Sequence, residues 1–300
     1  MPQPLLLIDT NYLCHRAYHA IGDLAYGDMG TGAVFGVLRD IVQLQDAFHT
    51  SRCVFAFDIG RGLRYDLLPT YKSTRKKRYA EESEGEQDAR ESLRKQIQLL
   101  RRKYLPAAGF KNVFAARGYE ADDIIAAIAA GLPTTEEAII IGSDQDLWQC
   151  LRPNVWCWNP HTNKAYTLEL FRKTWGLEPA QWADVKAYAG CSTDDVPGVP
   201  RVGEHTAAKY LRGELGTHTK TYAALARAEI QCAFNLKIVR LPFPGTPTFE
   251  IRQDTVTEEK WQALADALGM QSIRDTMPRM ITHRKSKGRK RDGKRKGFFE

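Results

Sequence analysis

The chain has 300 residues, 43% of them hydrophobic and 26% charged, which is enough apolar content for a globular core and argues against a disordered chain. No apolar stretch approaches the ~20 residues of a membrane span, and the opening LLLI run is too short for a signal-peptide core, so a soluble, non-exported, cytoplasmic protein is expected (nucleoid-associated in a bacterium or phage). The net charge of +7 is uneven: residues 281–300 hold nine of the 43 Lys/Arg and two of the 36 Asp/Glu, leaving 34 of each sign in the first 280 residues.

Along the first half, strand and helix alternate. Residues 5–8 read as a strand whose apolar run PLLLID closes on Asp9, and 32–48 read as a helix. Residues 52–57 are a strand closing on Asp58. A long charged helix is expected over 88–104, preceded by AEESEGEQD, which looks poorly ordered by composition. A strand over 112–115 leads to a helix over 121–130 that opens with Glu120, Asp122 and Asp123 in GYEADDIIA. A strand over 138–141 runs into GSDQD, which carries Asp144 and Asp146 ahead of a short helix over 144–151. Residues 155–158 and 165–168 look like a hairpin around NPHTN. From about residue 168 the strand signal stops. Short helices are expected over 168–175, 182–189, 205–211 and 222–227, with Asp194 and Asp195 in the loop CSTDDVPGVP. A Pro-rich passage over 241–249 links these to an amphipathic helix over 258–268. The tail HRKSKGRKRDGKRKG is low-complexity and basic: either a solubilising tail or a non-specific nucleic-acid tether. The six cysteines are scattered, with no C-x-x-C pair, so a disulfide framework or zinc site is not expected.

Apolar strands separated by helices indicate a mostly parallel sheet covered on both faces. In such sheets, sites form beyond the carboxyl ends of the strands. Asp9, Asp58, Asp144 and the Glu120–Asp122–Asp123 group all fall there. A single Asp in such a place is most simply a helix N-cap. Acids from four segments aimed at one edge repel one another and call for cations. With no His or Cys pattern beside them, hard cations are favoured, Mg²⁺ with Mn²⁺ as a substitute. The number of acids suits two ions about 4 Å apart, an arrangement fit for phosphodiester hydrolysis. Asp123 is read as a capping or supporting residue rather than a ligand, and Asp195 as uncertain.

Two segments offer groups to hold a polyanion. RGLRYDLLPTYKSTRKKRY, residues 61–79, packs seven Lys/Arg and three Tyr, and reads as either a solvated loop or a phosphate-gripping lid. GVPRVGEHTA places Gly198, Gly203, His205 and Thr206 where a tight turn runs into a helix, whose N-terminus suits a phosphate.

Together, IDTNYLCHRAYHA, FAFD, LRYDLLPTYKSTR, GYEADD, IGSDQDL and GCSTDDVPGVPRVGEHTAAKYL resemble the ordered signature blocks of the 5′-nucleases, that is, the flap endonucleases and the 5′→3′ exonuclease domains of bacterial DNA polymerase I. The resemblance spans residues 5–241. It implies an α/β PIN/resolvase-like domain over 1–170 with a helical arch over 65–94. A small all-α helix–three-turn–helix domain that binds duplex DNA follows over 171–280, then a disordered tail over 281–300. It implies metal-dependent cleavage of DNA at a 5′ flap, nick or free 5′ end. Asp9, Asp58, Glu120 and Asp122 would hold one Mg²⁺, and Asp144, Asp146 and Asp194 the other. Lys72 and Arg75 match arch residues that contact the scissile phosphate, Tyr71 an aromatic that stacks on a base, and Arg64 a further DNA contact. A monomer is expected; no polymerase domain is attached, and whether the chain acts alone or with a separate DNA polymerase stays open.

Two departures stand out. The bacterial pattern G-D-x-x-D-N reads here G-C-S-T-D-D, so Cys191 replaces an acid and Asp195 an Asn. The turn G-I-G-x-K reads here Arg201-Val202-Gly203-Glu204-His205. They motivate the alternative of a weakly active relative that mainly binds branched nucleic acid. An RNA-processing ribonuclease would share the fold.

Overall fold

The computed structural model describes residues 3–22 and 24–280, so the expectation for the basic tail lies outside the described residues. Among the described residues there are eight strands: β1 (Leu5–Asp9), β2 (Ala25–Tyr26), β3 (Met29–Gly30), β4 (Cys53–Ala56), β5 (Val113–Phe114), β6 (Ala138–Ile141), β7 (Val155–Asn159) and β8 (Lys164–Tyr166). Six of them form one sheet in the order β5-β4-β1-β6-β7-β8, and β2 and β3 form a separate ribbon. Every pairing in the large sheet is parallel except the β7–β8 hairpin. The architecture is thus the mostly parallel α/β sheet read from the sequence.

Alternate residues of a strand face opposite sides, and here both sides are buried. Leu6 and Ile8 join Phe55, Ile139 and Ile141 under the helices Thr10–Ile21 and Gly32–Ala47. Leu5 and Leu7 join Val54, Ile140 and the helix Ala121–Gly131 on the other side. The helix Thr10–Ile21 escaped the sequence reading. It starts at the very end of β1, because Asp9 both ends the strand and caps the helix, so no loop signal separates them.

The acidic run expected to be poorly ordered instead starts a helix, Glu84–Leu99. Ser83 and Glu86 form a capping box there: Glu86 accepts from the Ser83 N–H at 2.8 Å and from its hydroxyl at 2.6 Å. The helix continues through a π-turn, Leu100–Tyr104.

The helices Leu168–Trp175, Trp182–Ala189, Glu204–Leu211 and Lys220–Arg227 fall where expected, and Glu229–Val239 was missed. Their apolar side chains divide between two clusters: Ala183, Ala187, Cys232, Ile238 and Val239 pack together with Tyr71. Phe171, Trp182, Val185 and Ala207 pack in one cluster with Leu5, Leu7 and Ile140 of the sheet. After residue 241 the chain crosses back: the helix Glu258–Ala267 sinks Trp261 into the cluster of Ile8 and Leu38, and Arg279 N–H donates to Gln45 Oε1 at 2.8 Å. Among the described residues no helix is long and apolar enough to cross a membrane.

Candidate active site

β1 lies at the centre of the sheet, with β4 on one side and β6 on the other. The chain therefore reverses direction across the sheet between β1 and β6, and a crevice opens beyond the carboxyl ends of these strands. Asp9 ends β1 and accepts from Tyr12 N–H at 2.9 Å. Asp58, just past β4, accepts from Ala121 N–H at 2.6 Å and so ties that strand end to the helix Ala121–Gly131. Asp144, past β6, accepts from Asp146 N–H at 2.8 Å. The N-cap explanation thus holds for Asp9 and Asp144, but it uses only part of each carboxylate.

The structure brings the seven acids into one place. Asp9, Asp58, Glu120, Asp122, Asp144 and Asp194 line an open cleft of about 830 Å³ together with Lys72, Arg75 and Lys186. Asp146 lines a narrow recess behind it, with Tyr71, Glu120, Asp122, Cys191 and Asp194. Crowding shows in their protonation. Burial, and then the charge of Asp58, pushes Asp9 up to about 7. Burial and Asp144 push Asp146 up to about 6, against the pull of Lys186. Asp122 is driven well above the usual carboxylate range by burial and then by Asp144, Asp9 and Asp58. Asp122 Oδ1 is buried without a hydrogen-bond partner. A buried, unpartnered carboxylate oxygen among other carboxylates is costly unless a cation sits there. The donor set is almost wholly oxygen, so it fits divalent metal ions of the hard kind.

Asp123 does something else. It is fully buried on the far side of the helix, where Arg64 Nη1 and Nη2 donate to it at 2.7 and 2.8 Å. It also accepts from the N–H groups of Phe243 at 2.8 Å and Glu120 at 2.9 Å. Arg64, expected to contact DNA, is 3% exposed; its Nε donates to Ile238 O at 2.8 Å and its guanidinium lies 4.8 Å over the Phe243 ring. That expectation is corrected: the side chain is a buried tie between chain segments. Tyr71 needs the same correction. Its ring is 2% exposed, so it offers no free face to a base, and its hydroxyl donates to Glu120 at 3.0 Å or Asp194 at 3.2 Å.

Lys72 and Arg75 do reach the cleft. Lys72 Nζ donates to Glu120 Oε1 at 2.6 Å and lies 3.9 Å from Asp194, while Arg75 Nη2 lies 2.9 Å from Asp194. Both stand as monovalent cations against the carboxylates. Asp195 does not line the cleft and accepts from Thr74 N–H at 2.8 Å, pinning the start of the helix Ser73–Ala80. Lys186 was missed. Its Nζ lies 3.2 Å from Asp146 and 2.8 Å from Glu204. The available signal was a lysine on the buried stripe of the helix Trp182–Ala189, beside Ala183, Val185 and Ala187.

The helices Trp182–Ala189 and Glu204–Leu211 are joined by a compact turn. Gly198 is packed so tightly that a Cβ there would lie 2.0 Å from Ala189 O. Arg201 adopts the left-handed conformation (φ 65°) that favours glycine, so its side chain sits on a strained backbone at this turn. Gly203 precedes the second helix, Thr206 N–H donates to Gly203 O at 3.0 Å, and exposed His205 stacks on Trp175 at 4.6 Å.

Comparison with known proteins places this geometry. Residues 4–176 match the family model described as 5′-3′ exonuclease, N-terminal resolvase-like domain. DNA polymerase I of Bacillus caldotenax is 34% identical over 235 residues, covering 75% of this chain and 25% of that protein. The 5′-3′ exonuclease of Mycoplasmopsis pulmonis is 31% identical over 212 residues, covering 70% of this chain and 66% of that one. The chain therefore spans about a quarter of the polymerase relative but two thirds of the exonuclease relative. The 5′-exonuclease of bacteriophage T5, solved with zinc bound, superposes with a TM-score of 0.67 at 21% identity, covering 91% of this chain and 99% of that one. The T5 flap endonuclease in a complex with DNA and metal ions gives the same TM-score at 20% identity, with 90% and 96% covered. By the family match and the fold together, the chain belongs to the 5′-3′ exonuclease family, whose resolvase-like domain it carries.

Proposed function

We propose that the chain is a structure-specific 5′ nuclease that hydrolyses DNA phosphodiesters at 5′ flaps, nicks and free 5′ ends. The observation that carries this is the convergence of seven carboxylates from separate segments on the cleft and its adjoining recess, with a buried, unpartnered Asp122 oxygen among them. Asp9, Asp58, Glu120 and Asp122 would hold one divalent ion, and Asp144, Asp146 and Asp194 a second, with Mg²⁺ as the ordinary ion and Mn²⁺ as a substitute. When bound, the ions lower the pKa of an attacking water and offset charge on the leaving oxygen.

The chain's own groups position the substrate. Lys72 and Arg75 hold carboxylates that metal ions would take over, which releases both cations toward a phosphate at the cleft mouth. Residues 65–94 form the arch that receives a single-stranded 5′ end. The turn at Gly198 and Gly203, with the first N–H groups of the helix Glu204–Leu211, grips duplex phosphates beside His205 and Thr206. Residues 281–300 add a basic tether. A monomeric state and a DNA polymerase partner are part of this proposal; the partner is motivated by relatives that are named DNA polymerase I.

Asp144→Ala tests the assignment. Cleavage of a labelled 5′-flap duplex should fall at least about 100-fold, the scale of removing one transition-state charge stabiliser, while flap binding persists. Normal cleavage by this variant would remove the cleft from the reaction.

A further inference from the structure

We propose that the inner of the two metal positions, given above to Asp144, Asp146 and Asp194, is a mixed carboxylate–thiolate site in which Cys191 Sγ joins Asp146 and Asp194, so that it binds a Zn²⁺-like divalent cation more tightly than the Mg²⁺ named above. The inference deepens the nuclease reading and rests on it for the role of the ion, but not for its binding.

One ligand atom each from Asp146, Cys191 and Asp194 lies within 4.8 Å of the others, close enough to share one ion. The same three residues, with Glu120 and Asp122, line the recess of about 20 Å³, room for a single water-sized occupant. Asp146 Oδ1, one of the proposed ligand atoms, is buried without a hydrogen-bond partner, with Lys186 Nζ 3.2 Å away, and Asp122, whose Oδ1 is likewise unpartnered, lines both this recess and the cleft. The Cys191 backbone is pinned by a β-bridge to Val196. Cys191 N–H donates to Val196 O and Val196 N–H to Cys191 O, each at 3.0 Å. The sulfur's own contact is Thr193 Oγ1 at 3.1 Å, a partner that a metal can displace.

Donor chemistry then separates the two positions. Asp9, Asp58, Glu120 and Asp122 offer oxygen alone, which suits Mg²⁺. A thiolate among the ligands selects borderline and soft ions, because Mg²⁺ gains little from sulfur. Binding exchanges the thiol proton, released to solvent, for the sulfur–metal bond, with no change of oxidation state. None of the other five cysteines lines this recess.

The test is a Cd²⁺ titration of the metal-free, full-length protein, followed by the ultraviolet thiolate-to-cadmium charge-transfer band. Wild type should develop a band that saturates at one equivalent, and Cys191→Ser and Cys191→Asp should both lack it. No band in wild type, or an undiminished band in Cys191→Ser, would overturn the proposal. Cys191→Asp should also lower the Mg²⁺ concentration for half-maximal flap cleavage by about tenfold or more, the scale on which single ligand-shell changes act. An unchanged Mg²⁺ requirement would count against a ligand at this position. The two readings fail separately: a band without cleavage in any metal sinks the nuclease reading alone, and cleavage without a band sinks the thiolate site alone.

Discussion

Asp122 and Asp123 are neighbours in the chain and are put to opposite uses. About 100° of helix rotation separates them, so one side chain enters the cleft and the other the protein interior. Asp122 is left with an unpartnered oxygen, while Asp123 is saturated by Arg64, Phe243 and Glu120. Removing one partner of a buried ion pair strands the other charge, at a cost of roughly 3–5 kcal/mol. Asp123→Ala should lose that much stability in denaturant unfolding, whereas replacing Arg64 and Asp123 together by apolar residues should recover most of it. A loss under about 1 kcal/mol for the single variant would show the pair to be incidental. The three-residue spacing of Glu120 and Asp123 suggests a shared helix face, whereas the cleft takes Glu120 and Asp122 and Asp123 turns inside; only the helix start at GYEADD was legible. The burial of Arg64 and Tyr71 was not. Seven basic residues in nineteen read as a surface, and only a partner 59 positions away takes Arg64 inside.

At the scale of elements, the strands were legible because both faces of a parallel sheet are buried, which leaves continuous apolar runs such as AIII in β6. The helix Thr10–Ile21 was not, since its polar residues and abrupt start at Asp9 hide a modest apolar face. The helix Ser73–Ala80 buries none of its residues and begins from a left-handed Lys72 (φ 51°). Its hold on the body runs through Lys72, Thr74 and Arg75 to Glu120, Asp194 and Asp195. The backbone at Lys72 suits glycine better than alanine. This separates charge from conformation: if the ammonium acts on the phosphate, Lys72→Gly and Lys72→Ala should slow single-turnover cleavage alike, by about tenfold or more, with little change in flap affinity. A glycine variant that cleaves at the wild-type rate would leave Lys72 only a conformational part.

At the scale of the whole molecule, the cleft makes the metal-free fold work against its own charge. Asp9 titrates near 7 and Asp146 near 6 when folded, against an ordinary value of 3.8. The folded chain therefore binds protons more tightly than the unfolded chain between about pH 4 and 7, and these two groups lower stability as pH rises through that window. In EDTA the unfolding midpoint should fall between about pH 5 and about pH 8, and less steeply for Asp9→Asn. Saturating Mn²⁺ should flatten the profile, because the carboxylates are then charged and paired. A profile unmoved by metal would mean that the cleft does not bind it. The central claim, a metal-dependent nuclease that works from the 5′ end, is tested most directly by a duplex with a 5′ flap labelled at its 5′ terminus. With Mg²⁺ or Mn²⁺ the account predicts release of the labelled flap as a short fragment, abolished by EDTA. Cleavage that persists in EDTA, or a flap left whole in both metals, would contradict it.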